Sequence, residues 1–231
     1  MDEINQGEDF GEFVVLDHED LGDERGFSRL TEQAARVREL SLKETTVTST
    51  GREFSWSGVE ALFAPNFAWT ELERLSIIDC GSLSETIQRL TTSPWIVALR
   101  TLVLEAGGPP LSRADLATLT TAPWFQDLRL VQLDASIADW FTVATGRVLS
   151  CLSELSLTQG GLEAKQLEES LLLLKASAPT LYPALRRFTL VVYDPDALPL
   201  PMRPALSGNE EVSFSLTPAF EVLLSPGNTR P

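Results

Sequence analysis

Histidine, the side chain best suited to proton transfer near neutral pH, occurs once in this chain, at His18. It stands in Leu16-Asp-His-Glu-Asp20, an acidic and solvated stretch. Nucleophilic schemes that activate serine or cysteine through histidine therefore have no second candidate, and His18 reads as a plain surface residue. Cys80 and Cys151 lie 71 residues apart with no Cys-x-x-Cys or Cys/His spacing around them. Two free thiols near strand ends are expected, and structural zinc is not. Gly107-Gly-Pro-Pro110 and Gly160-Gly161 lack the spacing of phosphate-binding loops and read as tight turns. Glu163, Glu168 and Glu169 fit the solvated face of a helix that buries Leu167, Leu171 and Leu174. No catalytic residue, cofactor site or metal site is predicted, and the chain reads as a non-enzyme.

Charge narrows the partner classes. The formal net charge is −15 over 231 residues, which argues against binding nucleic acid through its phosphates. Residues 1–32 hold eleven acids against Arg25 and Arg29, or −9 of that total. Apolar runs such as Leu171–Leu174 are four residues long, far short of a membrane span, so no membrane insertion is expected. The first ten residues, MDEINQGEDF, have the pattern of neither a secretion signal nor a mitochondrial presequence. A cytoplasmic or nuclear address is the expectation.

What would position any functional side chain is a repeat. Apolar triplets of the form L-x-x-L-x-L recur at a spacing near 29 residues. They are Leu72/Leu75/Ile77, Leu99/Leu102/Leu104, Leu128/Val131/Leu133, Leu152/Leu155/Leu157 and Leu185/Phe188/Leu190, with an earlier copy at Val37/Leu40/Leu42. Their alternation suits a short strand with one buried face. Between triplets, Leu83/Ile87/Leu90, Leu116/Leu119, Ile137/Phe141/Ala144/Val148 and Leu167/Leu171/Leu174 recur at helical spacing. Ser82 with Glu85, and Ser112 with Asp115, have capping-box spacing at the expected helix starts. Pro65, Pro94, Pro123 and Pro179 keep the same phase and are expected to end helices. Leu90-Thr-Thr-Ser-Pro-Trp95 and Leu119-Thr-Thr-Ala-Pro-Trp124 are near duplicates.

These units resemble leucine-rich repeats, above all the ribonuclease-inhibitor-like class, over residues 37–193. The resemblance implies an α/β fold, a leucine-rich-repeat solenoid with a curved parallel sheet on its concave face and helices on its convex face. The Asn or Cys that commonly follows the triplet in that family is matched only by Cys80; Thr45, Gly107, Ser136, Gly160 and Tyr193 stand elsewhere. Spacing stretches to 35 residues between Val37 and Leu72 and to 33 between Leu152 and Leu185. A short, irregular solenoid of about six units is expected, with a loop at residues 45–57. It would be flanked by an acidic N-terminal arm or cap (1–36) and a Pro-rich C-terminal cap or tail (194–231). Val212, Phe214 and Leu216 alternate as a strand covering the last unit would.

Side chains between the buried leucines should point to the open face of the sheet. That places Glu39, Ser41 and Lys43 there, then Arg74, Ser76 and Ile78, Thr101, Val103 and Glu105, and Leu130, Gln132 and Asp134. Glu154, Ser156 and Thr158, with Arg187, Thr189 and Val191, complete the set. The mixture is small, polar and lightly charged, as on a protein-binding surface. Trp95 and Trp124 are expected to pack at helix–strand junctions, and Trp56 in the long loop is a candidate exposed anchor.

Phe13 and Leu16, in Glu12-Phe-Val-Val-Leu16 with acidic flanks, resemble the aromatic-x-x-aliphatic motif by which eukaryotic autophagy receptors add a strand to ubiquitin-like proteins. A cap strand or a disordered tail is the alternative reading of the same residues. The functional expectation is a non-catalytic protein–protein interaction module, an adaptor or scaffold subunit. The alternatives are an acidic inhibitor or immunity-type protein that blocks a basic enzyme, and an enzyme or enzyme subunit.

Overall fold

The computed structural model describes residues 13–16, 30–43, 62–64, 67–78, 83–105, 109–144, 147–159, 169, 172–173, 176, 179–192, 210–215 and 224–226. Among them, nine strands form one sheet whose spatial order is the chain order. They are β1 (Phe13–Leu16), β2 (Glu39–Lys43), β3 (Arg74–Ile78), β4 (Thr101–Glu105), β5 (Leu130–Leu133), β6 (Glu154–Gln159), β7 (Arg187–Val192), β8 (Glu210–Ser215) and β9 (Leu224–Pro226). From β1 to β7 every pairing is parallel, and β8 and β9 then add antiparallel. Parallel neighbours need a crossover to bring the chain back. Helices that stand in such crossovers include α1 (Ser84–Thr92), α2 (Arg113–Leu119) and α3 (Ile137–Ala144).

Register follows from the leucines. Leu40, Leu75, Leu102, Val131, Leu155 and Phe188 pair in one row across the sheet, and Leu42, Ile77, Leu104, Leu133, Leu157 and Leu190 in another. A shift by one residue would expose a whole row, so burial sets the pairing. All these side chains are buried in one cluster with Ile87 and Leu90 of α1, Leu116 and Leu119 of α2, and Ile137, Trp140 and Phe141 of α3. The leading residues of the triplets join them, except that Leu185 is only partly buried. One sheet face is thus covered by helices, and α1 packs on α2 and α2 on α3.

The parallel rows also share one backbone device. The Arg38 carbonyl accepts from the amides of Glu73 and Arg74 (2.8 and 2.9 Å), and the Glu73 carbonyl from those of Arg100 and Thr101 (2.8 and 2.9 Å). The Arg100, Arg129 and Ser153 carbonyls repeat this with the pairs Arg129/Leu130, Ser153/Glu154 and Arg186/Arg187. Each step ties the head of one strand to the head of the next.

Local chemistry explains the helix ends. Ser112 and Asp115 form a capping box: the Asp115 amide donates to Ser112 Oγ (3.2 Å), and the Ser112 amide donates to Asp115 Oδ2 (3.0 Å). Burial opposes the Asp115 charge. Hydrogen bonds from the Ser112 and Ser84 hydroxyls and the Ser112 amide outweigh it and hold the carboxyl below its ordinary value. In the duplicated Thr-Thr segments the hydroxyls donate back along the chain. Thr91 and Thr92 both reach the Gln88 carbonyl (3.1 and 2.8 Å), Thr120 that of Ala117 (2.8 Å) and Thr121 that of Thr118 (2.6 Å). These bonds occupy carbonyls near each helix end and compete with its continuation.

Several local expectations need correction. The first residue of α1 is Ser84, its N-cap position is Leu83, and no side chain caps it, so the expected Ser82/Glu85 box is not the helix start. Helix α3 ends at Ala144, and Val148 is 54% exposed rather than a fourth helical contact. Pro123 opens the 3-10 turn Pro123–Asp127, and Pro179 is itself helical with Thr180 and Leu181, so neither directly stops a helix. Proline's fixed φ suits a first helical turn, which accounts for Pro123. Trp95 and Trp124 diverge despite equal phase: Trp124 is 1% exposed and Trp95 40%. The 3-10 turn brings Trp124 inside beside Phe125 (ring centroids 6.4 Å), whereas Ile96 fills the interior in the earlier copy.

Other expectations, namely the 45–57 loop, Trp56, His18, Cys80, the glycine pairs and Leu167/Leu171/Leu174, lie outside the described residues. Stacking implies a stability pattern that urea unfolding can check. Leu102→Ala, in the interior, should cost about 2–5 kcal/mol, and Ser112→Ala about 1 kcal/mol. Val97→Ala, at an exposed position, should stay within about 0.5 kcal/mol. An unchanged midpoint for Leu102→Ala would contradict a shared interior.

Candidate functional site

The sheet face opposite the helices carries the side chains that alternate with the leucines. Register assembles them into three rows. Glu39, Arg74, Thr101, Leu130, Glu154 and Arg187 form the row at the strand heads. Ser41, Ser76, Val103, Gln132, Ser156 and Thr189 form the middle row, and Ile78 and Glu105 pair in the third. Asp134 follows β5 directly, with its amide donating to the Leu104 carbonyl (2.9 Å).

Most of the expected face residues are half-exposed, and Arg74 and Arg187 are exposed. Thr189 departs from the expectation: it is 6% exposed. It pairs with Ser156 on one side and Ser213 on the other, so a strand flanks it on both edges. Thr158 pairs with Val191 through the backbone, and its side chain lies outside the described residues. Phe13 and Leu16 are the first and last residues of β1, paired with Glu39 and Leu42, and Val14 between them is buried in the core.

Electrostatics divide this face. Arg187 Nη1 lies 3.0 Å from Glu154 Oε2, and Arg74 Nε lies 3.9 Å from Glu39 Oε2. Exposed pairs of this kind add little stability but fix where the charges sit. The third row is different. Gln132 Nε2 donates to Glu105 Oε1. Burial, then the neighbouring Glu105 charge, pushes the Asp134 carboxyl up to about 6. A shallow recess of about 180 Å³ opens between β5, β6 and β7, lined by Leu130, Gln132, Glu154, Ser156, Arg187 and Thr189 among others. Asp134 and Glu105 are not part of its lining. This arrangement can hold and orient an extended chain through hydrogen bonds, two ion pairs and aliphatic contacts at Ile78, Val103 and Leu130.

Among the described residues, no three His, Cys, Asp or Glu side chains gather as a metal site, and no helix is long and apolar enough to cross a membrane. Cys151 is a free, exposed thiol in the turn before β6. Sequence reasoning did not single out the arginines one position ahead of the strands: Arg38, Arg100, Arg129 and Arg186. Their recurrence just before the strand heads was the available signal. The chain matches no protein-family model and no curated protein sequence.

The raised Asp134 titration has a defined sign. Its carboxyl holds a proton more tightly folded, near 6, than its ordinary value of 3.8. The native state is therefore favoured below 3.8, and that contribution is lost as pH rises towards 6. Asp134→Asn should raise the urea midpoint at pH 7, with the gap to the parent chain closing by pH 4. A lower midpoint at pH 7 would mean that the charged form is the stabilised one.

Proposed function

We propose that this chain is a non-catalytic protein-interaction module, an adaptor or scaffold subunit built as a leucine-rich-repeat-like solenoid. The observation that carries the reading is the asymmetry of the sheet. One face is sealed by helices, while the other presents aligned rows of small polar, aliphatic and ion-paired side chains. Each coil needs its neighbours to bury its leucines, and the same stacking extends the open rows into a binding surface. Arg74, Ser76, Ile78, Thr101, Val103, Glu105, Leu130, Gln132, Asp134, Glu154, Ser156 and Arg187 are the residues this reading assigns to contact. Fold alone does not dictate function, so the assignment rests on this surface.

A second reading, an acidic inhibitor that blocks a basic enzyme, draws on the net charge of −15 and on the Glu105/Asp134 pair. Charge of that size steers a cationic partner and makes the on-rate salt-dependent. Capture of a partner from the native host by the tagged full chain tests both. The double variant Ile78→Gln and Val103→Gln should lose at least about tenfold in partner affinity, a hot-spot magnitude, while its urea midpoint stays near that of the parent. Undiminished capture by this variant would overturn docking on the open face. A steep fall of association rate between about 50 and 500 mM salt would favour the inhibitor reading.

A further inference from the structure

An acidic chain of net charge −15 here carries a local excess of arginine along one edge. The carbonyl steps at the strand heads hold Arg100, Arg129, Ser153 and Arg186 side by side, one per coil, just ahead of β4 to β7. Neighbouring strands are about 4.8 Å apart, so Arg129 and Arg186 stand roughly 10 Å apart with Ser153 between them. Ser153 turns its hydroxyl inward, donating to the Arg129 carbonyl (3.0 Å). Arg100 is partly engaged, with Nη1 3.6 Å from Asp127 and donating to the Leu99 carbonyl (3.0 Å). Arg187 faces Glu154. Arg129 and Arg186 are exposed, and neither has a carboxylate within ion-pair distance among the described residues. With Glu73 beside Arg100, four bases here meet three acids, a local charge of +1 on a strongly negative body.

We propose that this leading edge of the sheet docks a short, extended acidic segment of the partner protein. Guanidinium forks recognise carboxylates through paired, charge-assisted hydrogen bonds. A polyproline-like chain repeats every three residues with a rise of about 3.1 Å, so carboxylates at i and i+3 fall about 9 Å apart on one side. That span matches Arg129 and Arg186. The recess bounded by Glu154, Arg187, Leu130 and Thr189 begins one residue further along β5, β6 and β7 and receives the side chain that follows the acidic stretch. A long polyanion fits poorly, because along the edge it meets Asp127 and Glu73 and one residue past it Glu154. The inference rests on the protein-binding reading above and extends it from the open face to the edge.

The test uses the full chain and a fluorescein-labelled dodecapeptide of four Glu-Pro-Ser repeats, read by fluorescence anisotropy. Saturable binding is expected, weakened at least about tenfold by Arg129→Glu with Arg186→Glu. Arg36→Glu with Arg89→Glu, which changes net charge equally at exposed sites elsewhere, should retain affinity within about twofold. The Gln-Pro-Ser peptide should not bind. Absence of saturable binding, equal loss in both charge-reversal pairs, or tighter binding of a thymidine dodecamer would each overturn the proposal. The Ile78→Gln and Val103→Gln variant lies away from the edge and should keep the peptide. Loss of the native partner by that variant, alongside failure of the peptide to bind the parent chain, would defeat the edge while leaving the open-face reading intact.

Discussion

One backbone carbonyl at the head of each strand from β2 to β6 accepts two amides from the next strand, and the parallel sheet is hung from that step. It recurs from Arg38 through Glu73, Arg100 and Arg129 to Ser153. The step aligns strand heads, and the buried leucine rows then have one register in which every triplet meets its counterpart. Neither interaction suffices alone. Carbonyl steps without leucine rows would leave the coils free to slide, and leucines without the steps would collapse without order. The pairing of hydrogen-bonded heads with an apolar interior fixes the parallel sheet from β2 to β7.

The ends show how such a stack is closed. β1 adds one more parallel strand at the start, with Val14, Leu30 and Ala34 entering the interior. At the other end β8 reverses direction, placing Phe214 opposite Phe188 and Val212 opposite Leu190. Reversal ends the run of crossovers and supplies backbone partners to the last parallel strand.

Much of this was legible in the residues, because burial on one strand face imposes a period of two and the helices impose one near 3.6. The triplets from Val37 to Leu190, the Ser112/Asp115 box and the β8 alternation carried those periods plainly. What escaped depended on geometry that sequence spacing does not encode. Trp95 and Trp124 share a phase, but a 3-10 turn buries only the second. Val148 continues a helical spacing past the point where the helix stops. Thr189 is buried although its counterparts in the same row, Val103, Gln132 and Ser156, are half-exposed. The proximity of Asp134 to Glu105 and the alignment of Arg129 with Arg186 required the register itself, since members of each pair lie tens of residues apart.

Electron–electron distances between spin labels on the full chain, with Cys80 and Cys151 replaced by serine, test the sequential stack most directly. Labels at Ser41 and Gln132 are three strands apart, at Ser41 and Ser156 four, all in one row of the open face. The backbone separations should be about 14 and 19 Å, rising by roughly 5 Å per strand in chain order. A shorter distance from Ser41 to Ser156 than from Ser41 to Gln132 would mean a reordered or closed sheet, and the aligned binding rows would not exist.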